Sequence, residues 1–405
     1  MNEQDKKVPT LRFKGFTNDW EQRKLGTLFQ KNIERNDDEK FNYNQTLSVS
    51  TMTFKPNGNG ASAKSLANYK VLRLGDVAFE GHPNKQFSYG RFVVNDNADG
   101  IMSPRFATIR PIKAININYW KNYLHNENIM KYVLVKSTKA GTMMNELVYS
   151  DLYKQVLKVP NITEQVKIGN LLQKIEIIIT LQQRKLDLLK QLKKGLLQKM
   201  FADKDSKQPV LRFKGFHDDW ERRKLGEAAE IIGGGTPSTQ ISNYWNGDIN
   251  WYTPAEISNF IYTRKSKRKI SMEGLENSSA RLLPVGTVLF TSRAGIGKTA
   301  ILSKEGTTNQ GFQSIVPNKK LLDSYFIFSL TNELKKYGET HGAGSTFIEI
   351  SGRELAKAPL KLPALKEQKK IGGLLHQVDE LISLQQQKLA KYQSIKKSLL
   401  QQMFI

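Results

Sequence analysis

Residues 11–26 read LRFKGFTNDWEQRKLG, and residues 211–226 read LRFKGFHDDWERRKLG. Thirteen of the sixteen positions are identical, in a segment holding one Trp and two Phe. A match of that kind means the chain is written twice, so the fold must be read as two related halves. A second pair closes each half. Glu164-Gln165-x-x-Ile168-Gly169 matches Glu367-Gln368-x-x-Ile371-Gly372, and LQQRKLDLLKQLKKGLLQKMF ending at Phe201 matches LQQQKLAKYQSIKKSLLQQMF ending at Phe404. Between these shared ends, 27–160 and 227–363 have only scattered features in common: Gly75-Asp76-Val77 against Gly286-Thr287-Val288, and Gly141-Thr142 against Gly344-Ser345. Two copies of this length do not make a solenoid, which stacks units of about 20–45 residues.

The shared tails at 164–200 and 367–403 predict long helices. Apolar residues recur at helical spacing at Leu172, Ile175, Ile179, Leu186, Leu189, Leu196 and Met200. The second copy has Leu375, Val378, Ile382, Leu389, Tyr392, Leu399 and Met403. Pro160 and Pro363 stand just before each start, and neither tail contains a proline. Each helix would be about 55 Å long at 1.5 Å per residue. So narrow a stripe, with Lys and Gln on the other faces, is a coiled-coil seam. Gln182 and Lys193 interrupt it at the same phase as Gln385 and Lys396. An antiparallel pairing would set Gln182 near Leu389 and Leu186 near Gln385 about a pseudo-dyad.

The variable blocks predict a mixed α/β fold, giving an α+β class overall. Ile249–Thr253, Thr287–Thr291, Gln313–Val316 and Ala300–Ser303 read as short strands between Gly, Asn and Pro turns. Helices are expected near 116–135 and 323–337, and Ser351-x-x-Glu354 is a capping box opening another. The expected layout is a first domain at 1–160, a long helix at 161–201, a second domain at 202–362 and a second long helix at 363–405.

The 62 Lys and Arg against 38 Asp and Glu leave a net charge of +24 on 405 residues. Both halves are basic: residues 1–200 hold 32 basic and 18 acidic side chains, the remainder 30 and 20. An excess spread over folded, aromatic-containing sequence points to a polyanion, nucleic acid ahead of a membrane surface. With no cysteine, the chain has no disulfide, thiolate metal site or cysteine nucleophile. MNEQDKKVPT lacks the apolar core of a signal peptide, and the densest apolar patch, Ile175–Leu181, contains Glu176. A cytoplasmic protein without membrane partners is expected.

Candidate catalytic motifs fail on spacing. Gly295-Ile-Gly297-Lys298-Thr299 resembles the tail of a phosphate-binding loop, but Ser292 stands where the first glycine belongs and a strand is expected where the helix should follow. Gly233–Ser238 lacks G-x-G-x-x-G spacing, so a tight loop with exposed amides and hydroxyls is the plainer expectation. His82, His125, His217, His341 and His376 show no metal-ligand spacing, and no G-x-S-x-G elbow or N-P-P-[YF] methyltransferase signature occurs. No metal, cofactor or catalytic residue is assigned to the chain. Binding equipment remains. The first block interleaves bases with aromatics at Lys55, Tyr69, Lys70, Arg73, Asn84, Lys85, Tyr89, Arg91 and Arg105. The second offers Thr236, Ser238, Tyr244, Trp245, Arg264, Lys265, Lys267, Arg293 and Lys298. Such side chains neutralise phosphates and read base edges.

Taken together, several segments resemble the specificity subunit of a type I restriction-modification system across the whole chain. They are the duplicated LRFKGF-x-x-x-W-E-x-R-K-L-G, the Gly-Gly-Thr-Pro-Ser loop at 234–238, the 286–299 segment, Asn309–Gln313, 344–349 and the Leu-Pro-x-x-x-Glu-Gln entry at 362–368. The resemblance implies two target-recognition domains, each reading half of an asymmetric bipartite sequence in double-stranded DNA. The helices would separate them and dock two methyltransferase subunits. Those partners would bind S-adenosylmethionine and methylate adenine N6, and restriction subunits joined through them would use ATP and Mg. The first block lacks the Gly-Gly-Thr-Pro loop and the Ser-Arg-Ala-Gly-Ile-Gly-Lys-Thr segment, which leaves its contact residues resting on charge alone. A self-sufficient DNA-modifying enzyme and an RNA-binding factor are the alternative classes.

Overall fold

The computed structural model describes residues 8–405 apart from 56, 57, 59, 61, 204, 259, 264, 294 and 345–347. It forms two compact units, Met1–Arg184 with Gln387–Ile405, and Lys185–Gln386. The boundary falls inside both long helices, Ile162–Lys199 and Leu365–Gln402. Each unit therefore owns the start of one helix and the end of the other. Among the described residues no helix is long and apolar enough to cross a membrane.

The duplicated segments build the same clamp in each unit. Arg12 donates from Nε and Nη2 to the two carboxylate oxygens of Glu164 at 2.6 and 2.8 Å. Arg212 does the same to Glu367 at 2.8 and 2.9 Å. Next to them, the Leu11 amide donates to the Gln402 carbonyl, and the Leu211 amide to the Lys199 carbonyl. LRFKGF thus ties the first turn of one long helix to the last turn of the other, which fixes an antiparallel pair within each unit. The glutamine of the motif turns back onto the helix entry, Gln165 Nε2 to the Pro160 carbonyl and Gln368 Nε2 to the Pro363 carbonyl, both at 2.9 Å. Its glycine lets a second helix N-terminus approach: a Cβ on Gly169 would lie 2.5 Å from Asn116 Oδ1, and one on Gly372 2.9 Å from Asp323 Oδ1. The closing Met-Phe pair fills the cores. Phe404 packs on Tyr119 and Tyr123, and Phe201 stacks on Phe326 beside Trp220.

Along the seam Leu172, Ile175, Leu186, Leu375, Val378, Gln385 and Leu389 are buried. Ile179, Gln182, Leu189, Ile382 and Tyr392 are half-buried. The lysines interrupting the stripe are paired across it: Lys396 bonds Glu176 at 2.8 Å in the first unit, and Lys193 bonds Asp379 at 2.7 Å in the second. On this seam each lysine has a carboxylate on the partner helix, which offsets the cost of partly burying its charge.

The variable blocks fold alike although their sequences do not match. In the first unit the main sheet runs Phe29–Lys31, Ala107–Pro111, Val77–Glu80, Arg91–Val94, all antiparallel. The second unit repeats that order with Ala229–Gly233, Gln313–Pro317, Val288–Phe290 and Thr299–Leu302, then adds Tyr262–Thr263 in parallel. Gly75 and Gly286 both take φ +91°, a left-handed turn leading into matching strands, which accounts for the small shared motif there. An outer strand pair has the same register in both units, Glu21↔Val159 and Glu221↔Leu362. The second unit inserts a three-stranded sheet, with Trp245–Tyr252 between Arg268–Ile270 and Gly306–Thr308.

Where one helix was predicted in each block there are two, Ile117–Leu124 with Glu127–Ser137, and Ser324–Ser329 with Thr331–His341. The first break occurs because Asn126 caps the following helix through the Asn128 amide. The expected short helix at 352 is present, its Glu354 amide donating to the Ser351 hydroxyl.

Candidate nucleic-acid interface

In the second unit, three loops meet at one end of the main sheet: those leaving Gly233 and Phe290 and the one entering Gln313. The Ser292 amide donates to the Gly311 carbonyl, the Gly235 amide to the Thr308 carbonyl, and the Ile350 amide to the Ser292 carbonyl. The glycines of 233–238 permit contact between backbones. A Cβ on Gly234 would sit 1.9 Å from the Asn309 carbonyl oxygen, and one on Gly235 2.2 Å from the Ala280 nitrogen. Two indoles hold the loop from below, Trp251 Nε1 donating to the Gly235 carbonyl at 2.8 Å and Trp245 Nε1 to the Ser238 carbonyl at 3.0 Å. Their rings meet edge to face at 5.1 Å, and the Arg268 guanidinium lies 3.6 Å over Trp245. Above them Thr236 donates its hydroxyl proton to Gln310 Oε1 at 2.6 Å, and both side chains face solvent.

The Gly295–Thr299 loop closes on itself. Thr291 Oγ1 donates to the Gly295 carbonyl and accepts from the Lys298 amide, and the Gly297 amide donates to the Thr291 carbonyl. Ile296 is buried in the core, and Thr299–Leu302 is the expected strand, so these amides do not wrap a nucleotide phosphate. Lys298 and Arg293 are exposed, Arg293 standing 3.8 Å from Glu349.

Strand for strand, the same sheet end in the first unit carries Lys31, Phe79 and Ala107. The Asn145 amide donates to the Gly81 carbonyl there, as Ile350 does to Ser292 in the second unit. Instead of a glycine loop, a cavity of about 210 Å³ opens between Lys31, Lys70, Arg105, Asn145, Glu146 and Tyr149. Lys70 donates to the Phe106 carbonyl at 2.6 Å, and Lys31 lies 5.2 Å over the Tyr149 ring. Burial, and then Arg35 and Lys31, push the Lys70 ammonium down to about 8.

The sequence-predicted binding residues are thus sorted by the fold. Lys70 and Arg105 come together at the cavity, and Thr236, Ser238, Arg293 and Lys298 lie on the loops of the second unit. Lys55, Lys85, Lys265 and Lys267 are exposed away from any ion pair given among the described residues. Arg264 lies outside the described residues. Other expectations need correction. Tyr69 is 6% exposed and packs with Leu66, Val71 and Ile101, so its ring is core. Trp245, 9% exposed, supports the glycine loop from beneath, and Tyr244 packs on the same indole cluster. Arg73 is taken up by Glu34 and Asp99, and Arg91 by Glu80. The Asn84 carboxamide accepts from the Gln86 and Phe87 amides and shapes a turn, and Tyr89 packs against the core. Lys31 and Gln310, which lie at these same places, were not among the sequence-predicted binding residues, because neither stands in a basic or aromatic cluster of the sequence. Among the described residues no group of His, Asp or Glu is placed to hold a metal ion.

Each unit is an α+β domain closed by paired ends of the long helices and carrying cationic and amide side chains at one end of its main sheet. Residues 217–393 match the family of the type I restriction modification DNA specificity domain. The specificity subunit of the MjaIX enzyme of Methanocaldococcus jannaschii is 39% identical over 167 residues, 40% of this chain and 39% of that subunit. A putative MjaX specificity subunit from the same organism is 23% identical over 359 residues, 83% and 79% of the two chains. The Escherichia coli EcoR124I/EcoR124II specificity subunit is 26% identical over 180 residues, 42% and 43%. The first and third alignments therefore span less than half of those subunits. The type I S subunit of M. genitalium shares the fold at TM-score 0.59 and 14% identity over 98% of this chain and 99% of that one. A chain of a type I R-M system studied for complex assembly and conformational transition gives 0.53 at 19% identity, over 94% and 96%. Residues 217–393 thus carry the type I specificity domain, and the chain as a whole is similar to specificity subunits of type I restriction-modification systems.

Proposed function

We propose that this chain reads an asymmetric, two-part sequence in double-stranded DNA, one unit to each part, without chemistry of its own. It would carry two methyltransferase subunits and, through them, restriction subunits. The methyl donor S-adenosylmethionine, ATP and Mg would then belong to those partners. One observation carries the reading: two sheets of the same strand order bear unlike polar side chains at the same end. A common frame with different contact sets is what two unlike half-sites require, whereas a homodimer with identical heads reads a palindrome. The charge of +24 supports a phosphate backbone as the positioning partner.

The test is an exchange of residues 27–160 for the corresponding block of another specificity subunit, followed by mapping of methylated adenines in cells. One half of the recognised sequence changes and the other persists. A change in both halves would refute a division of labour by unit. Methyl transfer to DNA by the purified chain alone would refute a non-catalytic role.

A further inference from the structure

The cavity of the first unit collects three cations against a single carboxylate. Lys31, Lys70 and Arg105 line it, and none forms an ion pair among the described residues. Glu146, the one acidic side chain on its wall, is bonded to Lys139 at 3.2 Å. Several other cations of the same unit are matched: Arg73 has Glu34 and Asp99, Arg110 has Glu34 and Asp76, and Lys121 has Asp96 and Glu176. Lys70 is only half-exposed and uses one of its three ammonium protons on the Phe106 carbonyl. A partly buried ammonium with unused donors, in a cavity also lined by a second lysine and an arginine, is costly unless an anion enters. The opening is at the sheet end where the second unit presents Thr236, Gln310 and Arg293.

We propose that Lys31, Lys70 and Arg105 form a socket for one phosphate group, filled in the complex by a single backbone phosphate of duplex DNA. The three cations converge on the same anion. The socket gives the first unit an anchor where the second has its glycine loop. It rests on the duplex reading above, and the experiment separates the two.

Binding of a random-sequence duplex to the full chain is measured by fluorescence anisotropy between about 50 and 200 mM KCl, where each neutralised phosphate adds about 0.9 to the salt slope. Lys70→Met keeps the stem and removes the charge, and Arg105→Gln changes an exposed side chain, so its folding is secure. Each variant should lower the slope measurably, by up to about 0.9, and the double variant by about 0.9 in total, because one phosphate is lost. A double variant losing about 1.8 would mean two separate contacts and would overturn the shared socket. Unchanged slopes with a duplex-binding wild type would overturn the socket and leave the duplex reading standing. Should the wild type bind no duplex, that reading falls, and calorimetric titration with inorganic phosphate decides the socket alone. Uptake by the wild type that Lys70→Met abolishes would then identify a site for free phosphate, and no uptake would overturn it.

Discussion

Replacing Glu164 with glutamine tests whether the duplicated LRFKGF segment is a structural clamp. The Glu164 side chain is fully buried, and that of Arg12 is 13% exposed, with two bonds of 2.6 and 2.8 Å between them. Glutamine can accept one of those bonds but leaves the guanidinium without its counter-charge. Breaking one partner of a buried pair costs about 3–5 kcal/mol. Because Arg12 keeps some access to water, the lower end applies, about 3 kcal/mol. For a unit of this size that corresponds to about 6–12 °C in the midpoint of unfolding, readable by differential scanning calorimetry. Hydrogen exchange should accelerate at the Leu11 amide, which donates to the Gln402 carbonyl beside the clamp. The double variant Arg12→Met with Glu164→Leu should lose less than Glu164→Gln alone, since a buried pair replaced on both sides by apolar groups is often neutral. A shift below about 2 °C, with unchanged exchange at Leu11, would show that the clamp does not hold the helix ends.

Other consequences are open to test. Trp251→Phe leaves the Gly235 carbonyl without its 2.8 Å donor, costs about 1–3 kcal/mol, and should alter recognition of one half-site only, as read by methylation mapping. Gln310→Ala should relax discrimination at a single base position by about 1–3 kcal/mol while sparing stability, measured by competition among duplexes substituted at each position. Burial opposes ionisation of Glu176, but Lys121 and Lys396 outweigh it and hold the carboxyl below its usual value. Its stabilisation is therefore present above the unfolded pKa, about 4.3, and fades as pH falls through the lower folded value. Glu176→Gln should accordingly lower the urea midpoint at neutral pH, with the difference shrinking on acidification; a constant difference would exclude the ion pairs as its cause. Ser351→Ala removes the acceptor for the Glu354 amide and should cost about 1 kcal/mol by the same denaturation.

The long helices, the internal duplication and the charge were legible because each is a property of neighbouring residues. Helical spacing placed Leu172, Ile175 and Leu186 on one stripe, and proline before each entry marked where it begins. The seam lysines were visible as interruptions, but their partners Glu176 and Asp379 lie on the other helix and were not. The binding residues were harder. A run of bases and aromatics identifies a class of surface, and it does not tell Lys70, which faces a void, from Arg73, which two carboxylates already occupy. Tyr69 and Trp245 carry the composition of contact residues and the burial of core.

From its own order of residues the chain determined two copies, two long amphipathic helices, a basic surface and the failure of every nucleotide-loop spacing. The tertiary structure alone decided that 27–160 and 227–363 share one strand order, and that their strand ends gather Lys31 with Arg105 and Thr236 with Gln310. The physical reason is range. Periodicity and charge are local sums, whereas a sheet is assembled from backbone pairings between distant segments that many sequences satisfy. The residues meeting at its edge are therefore fixed by strand order and register, which no short stretch of sequence contains.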